Sequence, residues 1–155
     1  MKLFRMTYFI LLLVLLFLNI NTNSDISYVT YNDLNMFDAP STSLESFKGI
    51  ATGYGPDCLG CSGITASGFD VSDTCYYEDK EYGLVRIIAA DKKYPFGTII
   101  RISNKDDSII SIVLDRGSAI GNNKRSQADI LFQSERLSYD YGVQDVFFEV
   151  LRYGF

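Results

Sequence analysis

The sequence predicts an all-β domain, a small closed or nearly closed β-barrel with one short helix inserted. Three observations predict it. From Phe47 onward the chain falls into five to seven short β-branched runs. Turns bearing Gly or Pro separate those runs. Only one stretch has helical spacing, so no alternation of strand and helix suggests a parallel α/β sheet.

The elements follow in order. Residues 1–24 begin with Lys2 and Arg5 and then run apolar from Met6 to Ile20, which fits a secretory signal or an uncleaved signal anchor. Both charges precede the run, so the remainder is expected outside the membrane. Residues 25–46 are polar with scattered aromatics and read as an extended linker or arm. The domain proper is expected over 47–155. "FKGIATGYG" is a strand ending in Gly, and "CSGITASGFDV" is a loop with a short strand around Ile64–Ala66. The runs 84–90 and 98–103 are strands joined by a Pro-Gly turn, and "SIISIVLD" and "ADILF" are two more. "QSERLSYDYG" spaces Leu137 and Tyr141 one helical turn apart and stops at Gly142. "QDVFFEVL" is the last strand. "IIAAD" and "SIVLD" share a shape, as a barrel of two similar halves would produce.

Composition excludes several chemistries. With Lys2 and Arg5 set aside, 12 basic residues face 19 acidic ones, a net charge of −7. Nucleic acid is therefore not the expected partner. There is no His, which rules out Ser-His-Asp and Cys-His nucleophiles and any His-ligated zinc. There is no Trp, so stacking on a sugar falls to Tyr or Phe. Acid and base work falls mainly to Asp and Glu. The three cysteines, Cys58, Cys61 and Cys75, leave at least one unpaired, and they are too few for a four-ligand zinc site. A disulfide from Cys75 to Cys58 or Cys61 fits, and so do free apolar thiols. A Cys-x-x-Cys redox centre lacks the strand-helix surroundings it usually has. No metal and no cofactor is expected.

Three aspartates stand at strand ends beside turns: Asp91 in "AADKKYPFGT", Asp115 in "VLDRGSAIG" and Asp129 in "ADILF". Strand ends around a barrel mouth are where distant parts of a chain converge. Carboxyls brought together or buried raise one another's pKa, so that one stays protonated and acts as an acid. Glycosidic cleavage needs such an acid for the leaving oxygen. Asp is equally a favoured turn residue, bonding nearby backbone N–H groups. Asp129 differs, because it adjoins the apolar run Ile130-Leu131-Phe132, where a charge is costly unless used. Arg116 has three readings: a partner for Asp115, a contact for a substrate carboxylate, or a solvated turn residue.

"GITASG", "AADKKYPFGTIIRI", "VLDRGSAIG" and "ADILF", in this order, resemble the three-aspartate (3D) domain family. That family is similar to the catalytic barrel of membrane-bound lytic transglycosylase A. The resemblance covers about residues 49–152. It implies a six-stranded double-psi β-barrel that cleaves peptidoglycan glycan strands between N-acetylmuramic acid and N-acetylglucosamine. The product is a 1,6-anhydro sugar, because the muramoyl 6-hydroxyl attacks its own ring carbon. By motif position Asp129 would be the acid/base, Asp115 would orient it and Asp91 would help complete the site. Thr65 would line the groove, and Gly117 and Ala119 would let the sugar approach the backbone. Tyr54 is expected to bind substrate, and in a wall-binding module on the same barrel it would stack on a sugar. The family's Asp-Thr-Gly-Gly-Ala-Ile-Lys-Gly pattern has Arg116 in place of Thr here, and Lys124 stands in for the missing Lys. The "NNKRSQA" stretch before Asp129 is longer than in that pattern. The expected partners are peptidoglycan and, through the N-terminal segment if uncleaved, the membrane. The expected location is the cell wall or extracellular space. The alternative is a non-catalytic wall-binding or envelope-assembly module on the same barrel.

Overall fold

The computed structural model describes residues 42–121 and 123–154. The expected signal or anchor over 1–24, and the arm up to residue 41, lie outside the described residues. Among the described residues no helix is long and apolar enough to cross a membrane. The strands are β1 (Glu45–Tyr54), β2 (Tyr76–Asp79), β3 (Gly83–Ala90), β4 (Ile99–Ser103), β5 (Ser108–Asp115), β6 (Ala128–Leu131) and β7 (Gln144–Arg152). The helix α1 spans Glu135–Tyr141. The first strand thus begins two residues before the expected domain start at Phe47.

Six strands close a ring in the order β3-β5-β4-β7-β1-β6, and β6 returns to β3. The all-β class, the six-stranded closure and the single short helix are those the sequence leads one to expect. β2 is a seventh strand that the sequence reading misses. It lies along the first half of β3's edge, and β6 takes the second half. Arg152 on β7 fixes its end, with Nη2 donating to Asp79 Oδ2 at 2.5 Å. The strand expected around Ile64–Ala66 is only an isolated bridge between Ile64 and Asp70.

The pairing has an internal two-fold. β1–β6 and β5–β3 are parallel, while β1–β7 and β5–β4 are antiparallel. β3–β6 and β4–β7 are antiparallel contacts between the halves. Exchanging β1, β3 and β4 for β5, β6 and β7 leaves every one of these pairings unchanged. The barrel is therefore two interleaved halves, as a double-psi arrangement requires. The two rhyming segments, however, are not equivalents. They are the ends of β3 and β5, which lie side by side. The equivalents are β5 with β1 and β3 with β6.

Strand alternation sorts the apolar side chains into two layers. Ala51, Ile88, Ile100, Val113, Ile130 and Phe148 come one from each ring strand and fill the interior. The opposite faces of several strands, including Val85, Ile87, Ile112, Leu114 and Leu131, form a second cluster outside the barrel. The Gly- and Ser-rich segment after β1 covers that outer wall, contributing Val71 and Cys75. Cys75 is buried and unpaired, so of the two readings it takes that of a free apolar thiol and not that of a disulfide partner. Cys58 and Cys61 are instead joined to each other.

Candidate functional site

The candidate site lies on the outer wall near the strand ends, not inside the barrel mouth. Ala128 and Ile130 point into the core, so Asp129 between them points outward. Asp129 stands opposite Thr52 on β1 and opposite Ala89 on β3. Ala89 is also the partner of Asp115 on its other side. The register of β3 and β5 slips between Ile88 and Ala89, a bulge that brings Asp115 to this level. The two aspartates therefore flank one strand, with backbones roughly 10 Å apart at two strand spacings.

Their surroundings differ sharply. Asp115 Oδ1 accepts the backbone N–H groups of Ala66 and Arg116, each at 2.8 Å. Its Oδ2 accepts the Tyr54 hydroxyl at 2.8 Å. Both oxygens are thus committed within the protein, and they fasten the covering loop and β1 to the end of β5. Burial, followed by the charge and hydrogen bond of Asp115, pushes Tyr54's ionisation far above its ordinary range. Tyr54 therefore remains a donor at physiological pH. Asp115→Ala should cost about 2 kcal/mol, because three donors lose their acceptor. Chemical denaturation of the purified variant would measure it, and no loss would show the network to be dispensable.

Asp129 accepts one hydrogen bond from a described residue, from the Thr52 hydroxyl to Oδ1. Thr52 Oγ1 in turn lies 3.1 Å from Ser126 Oγ. No described residue bonds Oδ2. Burial holds the Asp129 carboxyl above the ordinary carboxylate range. The Thr52 hydrogen bond opposes that shift, and the charges of Glu135 and Asp115 add to it. A cleft of about 310 Å³ opens on Asp129, lined by Thr52, Ala119, Arg125, Ser126, Glu135 and Tyr139 among others. Tyr139 is 76% exposed there. A separate cleft of about 210 Å³ is lined by Tyr54, Cys61, Ile64 and Asp115.

The longer stretch before Asp129 does not loosen its position. Gly121 N–H donates to the Ser126 carbonyl at 2.9 Å, which closes the loop on itself. Gln127 N–H then donates to the Ile50 carbonyl at 2.9 Å, and Ile50 N–H donates to Gln127 Oε1 at 2.6 Å. The chain is locked to β1 before it reaches Asp129.

Several expected roles move. Asp91 is half-buried, caps its turn through the Lys93 N–H at 2.8 Å, and does not line Asp129's cleft. It packs so closely on Gly121 that a Cβ there would lie 2.0 Å from Oδ2. Thr65 is 4% exposed and lines neither of these two clefts; its hydroxyl accepts the Phe69 N–H at 3.0 Å and shapes the loop that feeds Asp115. Gly117 makes room for Ile120, whose Cδ1 would lie 2.5 Å from a Cβ. Arg116 makes no ion pair with Asp115 and is no solvated turn residue. It donates to the carbonyls of Ala90 at 3.2 Å and Tyr94 at 2.8 Å and lies over the Phe96 ring. Lys124 is exposed and away from the cleft, where Arg125 stands instead. Tyr54 is half-buried and tied to Asp115, which leaves Tyr139 as the exposed ring beside Asp129. Ala119 does line the cleft.

Thr52, Arg125, Ser126, Glu135 and Tyr139 line the cleft without having been expected there. Glu135 carried a signal only as an acid in the first turn of a helix, which reads as an ordinary helix-dipole partner.

No family model matches the chain. The SPbeta prophage-derived uncharacterized protein YorM of Bacillus subtilis (strain 168) is 34% identical over 122 residues, covering 76% of this chain and 48% of the relative. The chain thus spans about half the length of that curated relative. Among solved structures, Streptomyces papain inhibitor (SPI) gives a TM-score of 0.45 at 17% identity, covering 74% of this chain and 100% of that one.

Proposed function

We propose that the chain is an exported peptidoglycan-active enzyme, a lytic transglycosylase that cleaves between N-acetylmuramic acid and N-acetylglucosamine. The observation that carries the reading is Asp129, which lines a cleft, whose carboxyl burial shifts toward the protonated form, with Oδ1 fixed by Thr52 and Oδ2 bonded by no described residue. A protonated, positioned carboxyl is what a glycosidic leaving oxygen requires. The four ordered motifs that resemble the 3D domain family support the substrate class. In the simplest form Asp129 gives its proton to the leaving oxygen. The muramoyl 6-hydroxyl then closes on the ring carbon and loses its own proton to the Asp129 carboxylate. An internal nucleophile removes the need for an activated water. The N-terminal segment would carry the domain to the wall or tether it to the membrane.

One observation favours a second reading. Asp115 and Asp91, two of the three aspartates, are engaged in holding loops, as they would be in a wall-binding module that does no chemistry. Incubating purified residues 25–155 with insoluble peptidoglycan separates the two. Release of soluble 1,6-anhydro muropeptides supports the enzyme. Sedimentation with the wall and no release supports the binding module.

A further inference from the structure

The cleft on Asp129 has a second carboxylate that no motif assigns. Glu135 opens α1 and lines the same cleft. Its position is built, not incidental. Gly55 N–H donates to Glu135 Oε2 at 3.0 Å, and Glu135 N–H donates to Asp57 Oδ1 at 2.6 Å. The chain passes so near that a Cβ on Gly55 would lie 2.0 Å from Glu135 N. The stretch "GYGPD" thus wraps the start of the helix and aims its first side chain. Only one Glu135 oxygen is used by a described residue, so Oε1 is available to a ligand in the cleft.

We propose that Glu135 is a second catalytic carboxylate of this cleft, the base that takes the proton of the attacking hydroxyl while Asp129 protonates the leaving oxygen. This rests on the glycan-cleaving reading and divides between two residues what the simplest mechanism asks of one. The bond from the muramoyl ring carbon to the leaving sugar breaks, and its electron pair stays on the leaving oxygen, which takes Asp129's proton. The bond from that carbon to O6 forms, and the O6 proton passes to Glu135. Exchange with solvent restores both carboxyls. With two carboxyl groups, one gives a proton and the other takes one, so a single carboxyl need not do both in one event.

The groups facing Asp129 are Thr52 and Tyr54 from β1, Asp115 from β5, Arg125 and Ser126 from the preceding loop, and Glu135 and Tyr139 from α1. The Glu135 charge, after burial, helps to hold Asp129's carboxyl up. Glu135→Gln is the informative variant, because Gln keeps an oxygen for the Gly55 N–H while losing the base. The expected result is a kcat about 100-fold lower with KM little changed, and loss of the acid limb of the pH–rate profile. Carbon-13 NMR of labelled Asp129 should show its titration midpoint falling in Glu135→Gln. A variant with wild-type kcat, an unchanged pH profile and an unmoved Asp129 midpoint would overturn the proposal and leave Glu135 a loop clamp. A wild-type chain that releases no anhydro product would instead overturn the glycan reading itself.

Discussion

Asp129→Asn is expected to lower glycan release by roughly 10²–10⁴-fold while raising the melting temperature at neutral pH. The loss follows because Asn has no proton to give at the leaving oxygen. The gain follows from linkage. Burial holds the folded Asp129 carboxyl above its ordinary value. Between the ordinary and the raised value, the folded chain keeps a proton that the unfolded chain has released. Stability therefore falls as pH rises through that window, and above it the buried ionised group remains a cost. Asn carries no charge and keeps an oxygen for the Thr52 hydroxyl. Thermal unfolding followed from pH 3 to pH 8 should show the variant's advantage only above the ordinary carboxylate range. A variant less stable than wild type at pH 7 would mean that Asp129 is held for the fold. Such opposition between activity and stability is common at catalytic groups.

The largest effect on stability is expected at Phe148. Its ring is 1% exposed at the middle of β7, opposite Phe47 on β1 and Ile102 on β4. The Phe47 and Phe148 rings stack with centroids 4.9 Å apart. Gly49 leaves space for the ring, since a Cβ there would come 3.1 Å from Phe148 Cε2. Phe148→Ala should cost about 3–5 kcal/mol, from lost burial and the cavity left behind. Domains of this kind have only about 5–15 kcal/mol in total, so the variant should lose a large fraction of its stability. Phe148→Leu should lose much less. Urea titration of both variants would measure this, and equal losses would point away from ring packing as the cause.

The barrel was legible in the sequence because β-branched runs punctuated by Gly report directly on strand alternation. β2 was not, since "YYED" has no β-branched residue and forms only where β3 leaves an edge uncovered. Three aspartates at strand ends were visible as such. Which of them is available for chemistry was not, because that depends on donors far away in the chain. Ala66 lies 49 residues from Asp115, and Thr52 lies 77 from Asp129. The same distance hid Glu135, which Gly55 holds across 80 residues. The similar shapes of "IIAAD" and "SIVLD" misled for a related reason. Neighbouring strands share a buried environment and so come to look alike, although the two-fold exchanges β5 with β1 and β3 with β6.

In the proposed reaction Asp129 protonates a glycosidic oxygen while a sugar hydroxyl, not water, closes the new ring. Digestion of peptidoglycan in water enriched in heavy oxygen tests it most directly, with the soluble products weighed by mass spectrometry. The expected result is 1,6-anhydro products that carry no solvent oxygen and that vanish in Asp129→Asn. Products bearing one heavy oxygen at a reducing end, or no products from the wild-type chain, would contradict it.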